Sequence, residues 1–117
     1  SGADIRKANL ARSNLSGADL TEAKLRDARL SDADLSRATL AGADLTAANL
    51  SWANLSWADL SGACLFRANL FDADLTGANL RNANLRESVC RSAKFINCEL
   101  TGIQTYEWVA RVRTCGG

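Results

Sequence analysis

The residues of this chain with the means to do chemistry are its carboxylates, its cysteines and its arginines near aromatic rings. An Asp or Asn stands immediately before 12 of the 17 leucines, as in Asp34, Asn54 and Asp74, and paired carboxylates can do acid and base work. Cys64, Cys90, Cys98 and Cys115 show no C-x-x-C spacing, and there is no histidine in the chain, so a zinc site has no ligand set. Nothing resembles a cysteine paired with a base, or a phosphate loop. With 14 basic and 13 acidic residues the net charge is +1, which gives no strong field for nucleic acid or an anionic membrane. No enzymatic activity, cofactor or metal is expected.

The elements that must position these residues follow from one period. Every leucine sits at a number divisible by five, unbroken from Leu10 to Leu85 and again at Leu100. Two residues before each lies a small residue, Ala except at Ser13 and Cys98, and Ser88 holds the same place before Cys90. A helix scatters such a series, because five steps of about 100° leave successive leucines roughly 140° apart. A straight strand fails as well, since side chains alternate with a period of two and an odd step sends successive leucines to opposite faces. The chain must therefore turn a corner in every unit, always the same way, winding into a coil whose inside collects Leu and Ala. That is a β-solenoid.

The units ADLTA, ANLSW, ANLFD and ADLTG fit the pattern A-(D/N)-L-x-x, and over about residues 3–100 the chain resembles the pentapeptide-repeat family. The resemblance implies an all-β fold, a right-handed quadrilateral parallel β-helix with four units per coil and residues 20 apart stacked on one another. One domain of 117 residues is expected, with about five coils over residues 1–100 and a C-terminal cap over 101–117. The family shares a scaffold and not one activity, and its abundance in cyanobacteria makes a photosynthetic source the natural expectation.

In that register Leu25, Leu45, Leu65 and Leu85 form one inward ladder, and Ala43 and Ala58 sit where a larger side chain would overpack the interior. Asp34, Asn54 and Asp74 form an outward column, so its two carboxylates stand two coil heights, ~10 Å, apart. They are spaced rather than paired, and their expected work is to cap backbone amides at the turns. Lys7 stacks on Asp27 and Arg12 on Asp32, while Lys24 lies between Asp4 and Asp44, a locally compensated, solvated surface.

The third coil differs, with Trp52 and Trp57 on two adjacent outward faces and Ala, Ser and Thr around them. Phe66 and Phe71 follow in the fourth coil, stacked over Arg86 and Arg91. A contiguous exposed aromatic patch marks a contact site, so Trp52, Trp57, Phe66, Phe71, Arg86 and Arg91 are the candidate protein-contact residues. The expected function is a non-enzymatic scaffold that binds an unidentified protein partner. The alternative from the resemblance, a DNA-mimic modulator of gyrase, is disfavoured by short length and near-neutral charge. Arginine beside aromatics also fits single-stranded nucleic acid, which the net charge disfavours.

From Ser88 the pattern loosens and places Cys90, Phe95 and Cys98 inward. Residues 105–113 carry helix signals, with an N-cap at Thr105, Glu107 in the first turn and Arg111 and Arg113 in the last, so a short amphipathic helix is expected to cap the last coil. Cys115 could reach Cys98 or Cys90, and a Cys98–Cys115 disulfide would pin that helix down. The first coil has no cap of its own in this sequence, which points to a homodimer through that end or to a removed leading segment. No apolar run is long enough to span a bilayer. The chain reads as soluble, in the cytoplasm, or in the periplasm or thylakoid lumen if a signal segment has been removed.

Overall fold

The computed structural model describes residues 2–105. Its unit of construction is a tight turn after every inward Leu. The Leu carbonyl accepts from the amide three residues on, as in Ala43 to Leu40 at 3.0 Å and Ala58 to Leu55 at 3.1 Å. The third residue of each turn is left-handed, with φ of 59° at Arg37, 68° at Gly42 and 63° at Trp52. A type II turn demands that sign, at a cost of roughly 1–2 kcal/mol for a residue with a Cβ.

Four such turns bring the chain back on itself one level down. Parallel bridges pair each residue before a core position with the one 20 later, so that Asp4, Lys24, Asp44, Cys64, Asn84 and Gln104 form a single column through the whole stack. The ladder bonds are short: Leu45 donates to the Cys64 carbonyl at 2.7 Å, and Cys64 to the Ala43 carbonyl at 2.9 Å. The coil is thus four-cornered, as expected. One detail differs, because among the described residues no extended strands form and each face contributes one bridge per level. Turns take two residues of every five, and too little straight chain is left to carry a longer ladder.

The interior is apolar throughout. Every leucine from Leu25 to Leu85 is fully buried, and the inward alanines two residues before them are at most 1% exposed. Toward the lower end Cys90 and Phe95 take over inward positions. Ser88 remains buried because its hydroxyl donates to the Leu85 carbonyl at 2.7 Å, which meets the requirement that a buried polar group be satisfied. Ile5, Leu10 and Leu15 are partly buried against the core from the first coil. Apart from Thr105, the expected capping helix lies outside the described residues, as does the Cys115 half of the expected disulfide. Among the described residues no helix is long and apolar enough to cross a membrane.

Candidate contact surface

The carboxylates prove to be parts of the turns. The Oδ1 of each Asx that stands immediately before a core position accepts from the amide two residues on, and often from that residue's hydroxyl as well. Ser36 reaches Asp34 at 3.0 Å through N and 2.7 Å through Oγ, and Ser56 reaches Asn54 at the same two distances. Asp74 holds Thr76 in the same manner. These bonds stabilise the ionised form. The Ser36 hydroxyl and amide hold the Asp34 carboxyl below its usual range. At Asp74 burial pushes upward, but the Thr76 bonds and nearby Lys94 prevail, so it too is lowered. Asp and Asn serve equally in this geometry because only one oxygen is used, which gives the carboxylates before the core positions a structural task.

Stacking places Lys7 over Asp27 and Arg12 over Asp32, yet among the described residues the ion pairs are elsewhere. Arg6 meets Asp4 at 2.7 Å, Arg26 comes within 4.0 Å of Asp44, and Arg67 meets Glu87 at 2.9 Å. Lys24 does bridge both Asp4 and Asp44 through the backbone. The Arg6 side chain is the main reason that Asp4 is lowered to about 2.

Of the aromatic residues, Trp52 and Trp57 are 58% and 55% exposed. Both occupy left-handed corner positions of one coil, and the face between those corners carries only Asn54 and Ser56 outward. Trp52 meets Phe71 edge-on, with ring centroids 5.9 Å apart and planes at 81°, while its amide donates to the Phe71 carbonyl at 2.8 Å. Trp57 packs its six-membered ring over Gly77 on the next level. Phe66 stands apart at a different corner, where the guanidinium of Arg67 lies 5.2 Å from its ring centroid. The guanidinium over Phe66 therefore comes from its neighbour in sequence; Arg86 and Arg91 follow Phe66 and Phe71 one level on, as the register expects, but among the described residues neither guanidinium lies over a ring. The six candidates thus divide: the structure brings Trp52 and Phe71 together, sets Trp57 at the far edge of the same face, places Arg91 one level beyond Phe71 at the same corner, and leaves Phe66 and Arg86 at a different corner. Sequence reasoning missed Gly77 and Arg67, although a glycine 20 residues after a tryptophan is a readable sign of a ring seat.

The described cysteines are not poised for reaction. Burial raises the thiols of Cys90 and Cys98 to about 11, and the Cys98 Sγ donates to the Leu75 carbonyl at 2.9 Å. Cys64 lies half-buried beside the Thr46 hydroxyl at 3.3 Å, whose proton is already given to Asp44. Among the described residues no group of three His, Cys, Asp or Glu side chains could hold a metal.

The fold has well-defined relatives. A crystal structure of a pentapeptide repeat protein from the cyanobacterium Cyanothece is 36% identical, with a TM-score of 0.88 over 91% of this chain and 86% of its own. A pentapeptide repeat protein from the Arabidopsis thaliana thylakoid lumen is 26% identical, with a TM-score of 0.71 over 100% of this chain and 84% of its own. QnrB1, a plasmid-mediated fluoroquinolone resistance protein, is 18% identical with a TM-score of 0.50 over 97% of this chain and 68% of its own, a likeness of fold alone. A comparison with curated proteins finds no match. The family description "Pentapeptide repeats (8 copies)" matches residues 1–37, 23–62 and 63–102, and with the five-residue turns and the 20-residue bridges in place, the chain belongs to the pentapeptide repeat family.

Proposed function

We propose that this protein is a non-enzymatic scaffold, a right-handed quadrilateral β-helix that binds a protein partner through the aromatic residues of its third and fourth coils. The observation that carries the reading is the exposure of Trp52 and Trp57, at 58% and 55%, on corners whose left-handed backbone disfavours bulky side chains. The fold needs neither ring in its core. Exposed tryptophans at the centre of a surface are the residues most enriched among binding hot spots. Support also comes from the Asx residues, whose hydrogen bonds to the turns give them a structural task.

The gyrase-modulator alternative finds no support in charge, since the chain carries a net +1 and a mimic of DNA requires a strongly anionic surface. The test of the scaffold reading is a quantitative pull-down from the source organism with wild type and a Trp52→Ala, Trp57→Ala variant. Loss of specific partners from the variant supports it, and identical partner sets overturn it.

A further inference from the structure

We infer that the face between the Trp52 and Trp57 corners docks an extended basic segment, a stretch of a partner protein bearing lysine or arginine. The inference rests on the scaffold reading and names the chemistry of its partner. The face is built from residues 51–57, with residues 31–37 stacked on one side and 71–77 on the other, as the bridges Asp34 to Asn54 and Asn54 to Asp74 require.

The levels next to the tryptophans carry an acidic excess. Asp32 and Asp34 lie on the level before them, and Asp72 and Asp74 on the level after, against Arg37 on those two levels; Arg12 stands one level beyond Asp32, and Arg91 and Lys94 one level beyond Asp72 and Asp74. Among the described residues none of these four aspartates enters an ion pair. The Ser36 and Thr76 bonds keep Asp34 and Asp74 ionised at neutral pH. Asp32, Trp52 and Asp72 share one corner column, each a single level, ~4.8 Å, from the next. A cation resting on the Trp52 indole therefore has a carboxylate on either side. That combination of an aromatic surface with flanking anions favours an alkylammonium or a guanidinium over an anionic group.

Shape points to an extended chain. Trp52, braced by Phe71, and Trp57, seated on Gly77, form two raised edges above a floor of short side chains, Asn54, Ser56, Asp74 and Thr76. Five residues separate the edges, so their backbones lie under about 17 Å apart. An extended peptide laid along the stack would run between these two edges.

The test is fluorescence anisotropy with labelled dodecapeptides, a Lys-Ser-Leu repeat and its Glu-Ser-Leu counterpart, plus an oligothymidylate of similar length. Proteins compared are wild type, Asp32→Asn with Asp72→Asn, and Trp52→Ala. Both aspartates occupy left-handed positions, with φ of 59° and 55°, where asparagine is at home, so the double variant is expected to melt as wild type does. The lysine peptide is expected to bind wild type at least ~10-fold tighter than the glutamate peptide. Binding should weaken about 5-fold or more in the asparagine pair and in Trp52→Ala, and weaken further between roughly 20 and 300 mM salt. The inference is overturned if the glutamate peptide or the oligothymidylate binds as tightly as the lysine peptide, or if the asparagine pair binds as wild type. If the asparagine pair has no effect while the tryptophan variant still loses its partners in the pull-down, the basic segment falls and the scaffold reading stands. If the tryptophan variants change neither assay, both fall.

Discussion

The six-membered ring of Trp57 rests on the backbone of Gly77, so close that a Cβ placed there would fall 2.6 Å from Cδ2 and Cζ3 of the indole. Gly77 is left-handed as well, with φ of 71°, and two separate causes therefore fix glycine at this position. Substitution Gly77→Ala is expected to destabilise by about 1–2 kcal/mol through the backbone alone and to unseat the indole. Urea unfolding would read the first effect and near-ultraviolet dichroism the second; an unchanged tryptophan signal would show that the ring does not depend on this seat.

The reverse change applies at Ala47. Its φ is 60°, so Ala47→Gly removes a left-handed Cβ penalty of ~1 kcal/mol or more, offset in part by the greater freedom of glycine in the unfolded chain. A net gain of up to about 1 kcal/mol is expected, visible as a higher urea midpoint with an unchanged slope. A loss of stability would contradict the assigned turn geometry.

Interior packing makes the sharpest stability forecast. Leu55 is fully buried and Ala58 is 1% exposed, so Leu55→Ala should cost ~2–5 kcal/mol by leaving a cavity. Ala58→Phe should cost ~1–3 kcal/mol or more by overpacking. Thermal melts that left either variant at the wild-type midpoint would refute the inward assignment of those columns.

Acid should weaken the coil. Asp4, Asp34, Asp44 and Asp74 all have folded carboxyls below the ordinary range, and Asp4 is drawn down to about 2. A lowered folded value means that the stabilisation is fully present above the unfolded value of about 3.9 and is lost as pH falls through the folded values. The urea midpoint should therefore hold near neutrality and decline from about pH 5 toward pH 2. Asparagine at positions 34 and 74 keeps the Oδ1 acceptor without the proton, so that double variant should show a shallower decline. An equal decline would place the acid sensitivity elsewhere.

Much of this architecture could be read from the chain because it depends on period and size alone. Leu at every fifth position and Ala two before it mark the core positions from 20 to 85, and the Asx residues that precede most of the leucines stand where the turns need an acceptor. What escaped is what depends on side-chain reach. Register puts Lys7 above Asp27 and Arg67 above Glu87, yet only the second pair closes, while the long Arg26 side chain reaches out of its own column to Asp44. Phe66 is covered by adjacent Arg67 and not by the arginine one level below. Bridges limited to one residue per face follow from the space the turns consume, a matter of backbone geometry that hydrophobic pattern does not encode.

The constant step of 20 residues between bridge partners has a genetic consequence. Removing or duplicating one whole coil leaves every surviving residue in its column, whereas a gain or loss of five residues moves everything downstream by one face. Rod length is consequently free to drift by recombination while cross-section stays invariant, and residues 41–60 form a cassette. A gene encoding such a protein could acquire or discard the tryptophan-bearing coil in one event without redesigning its neighbours.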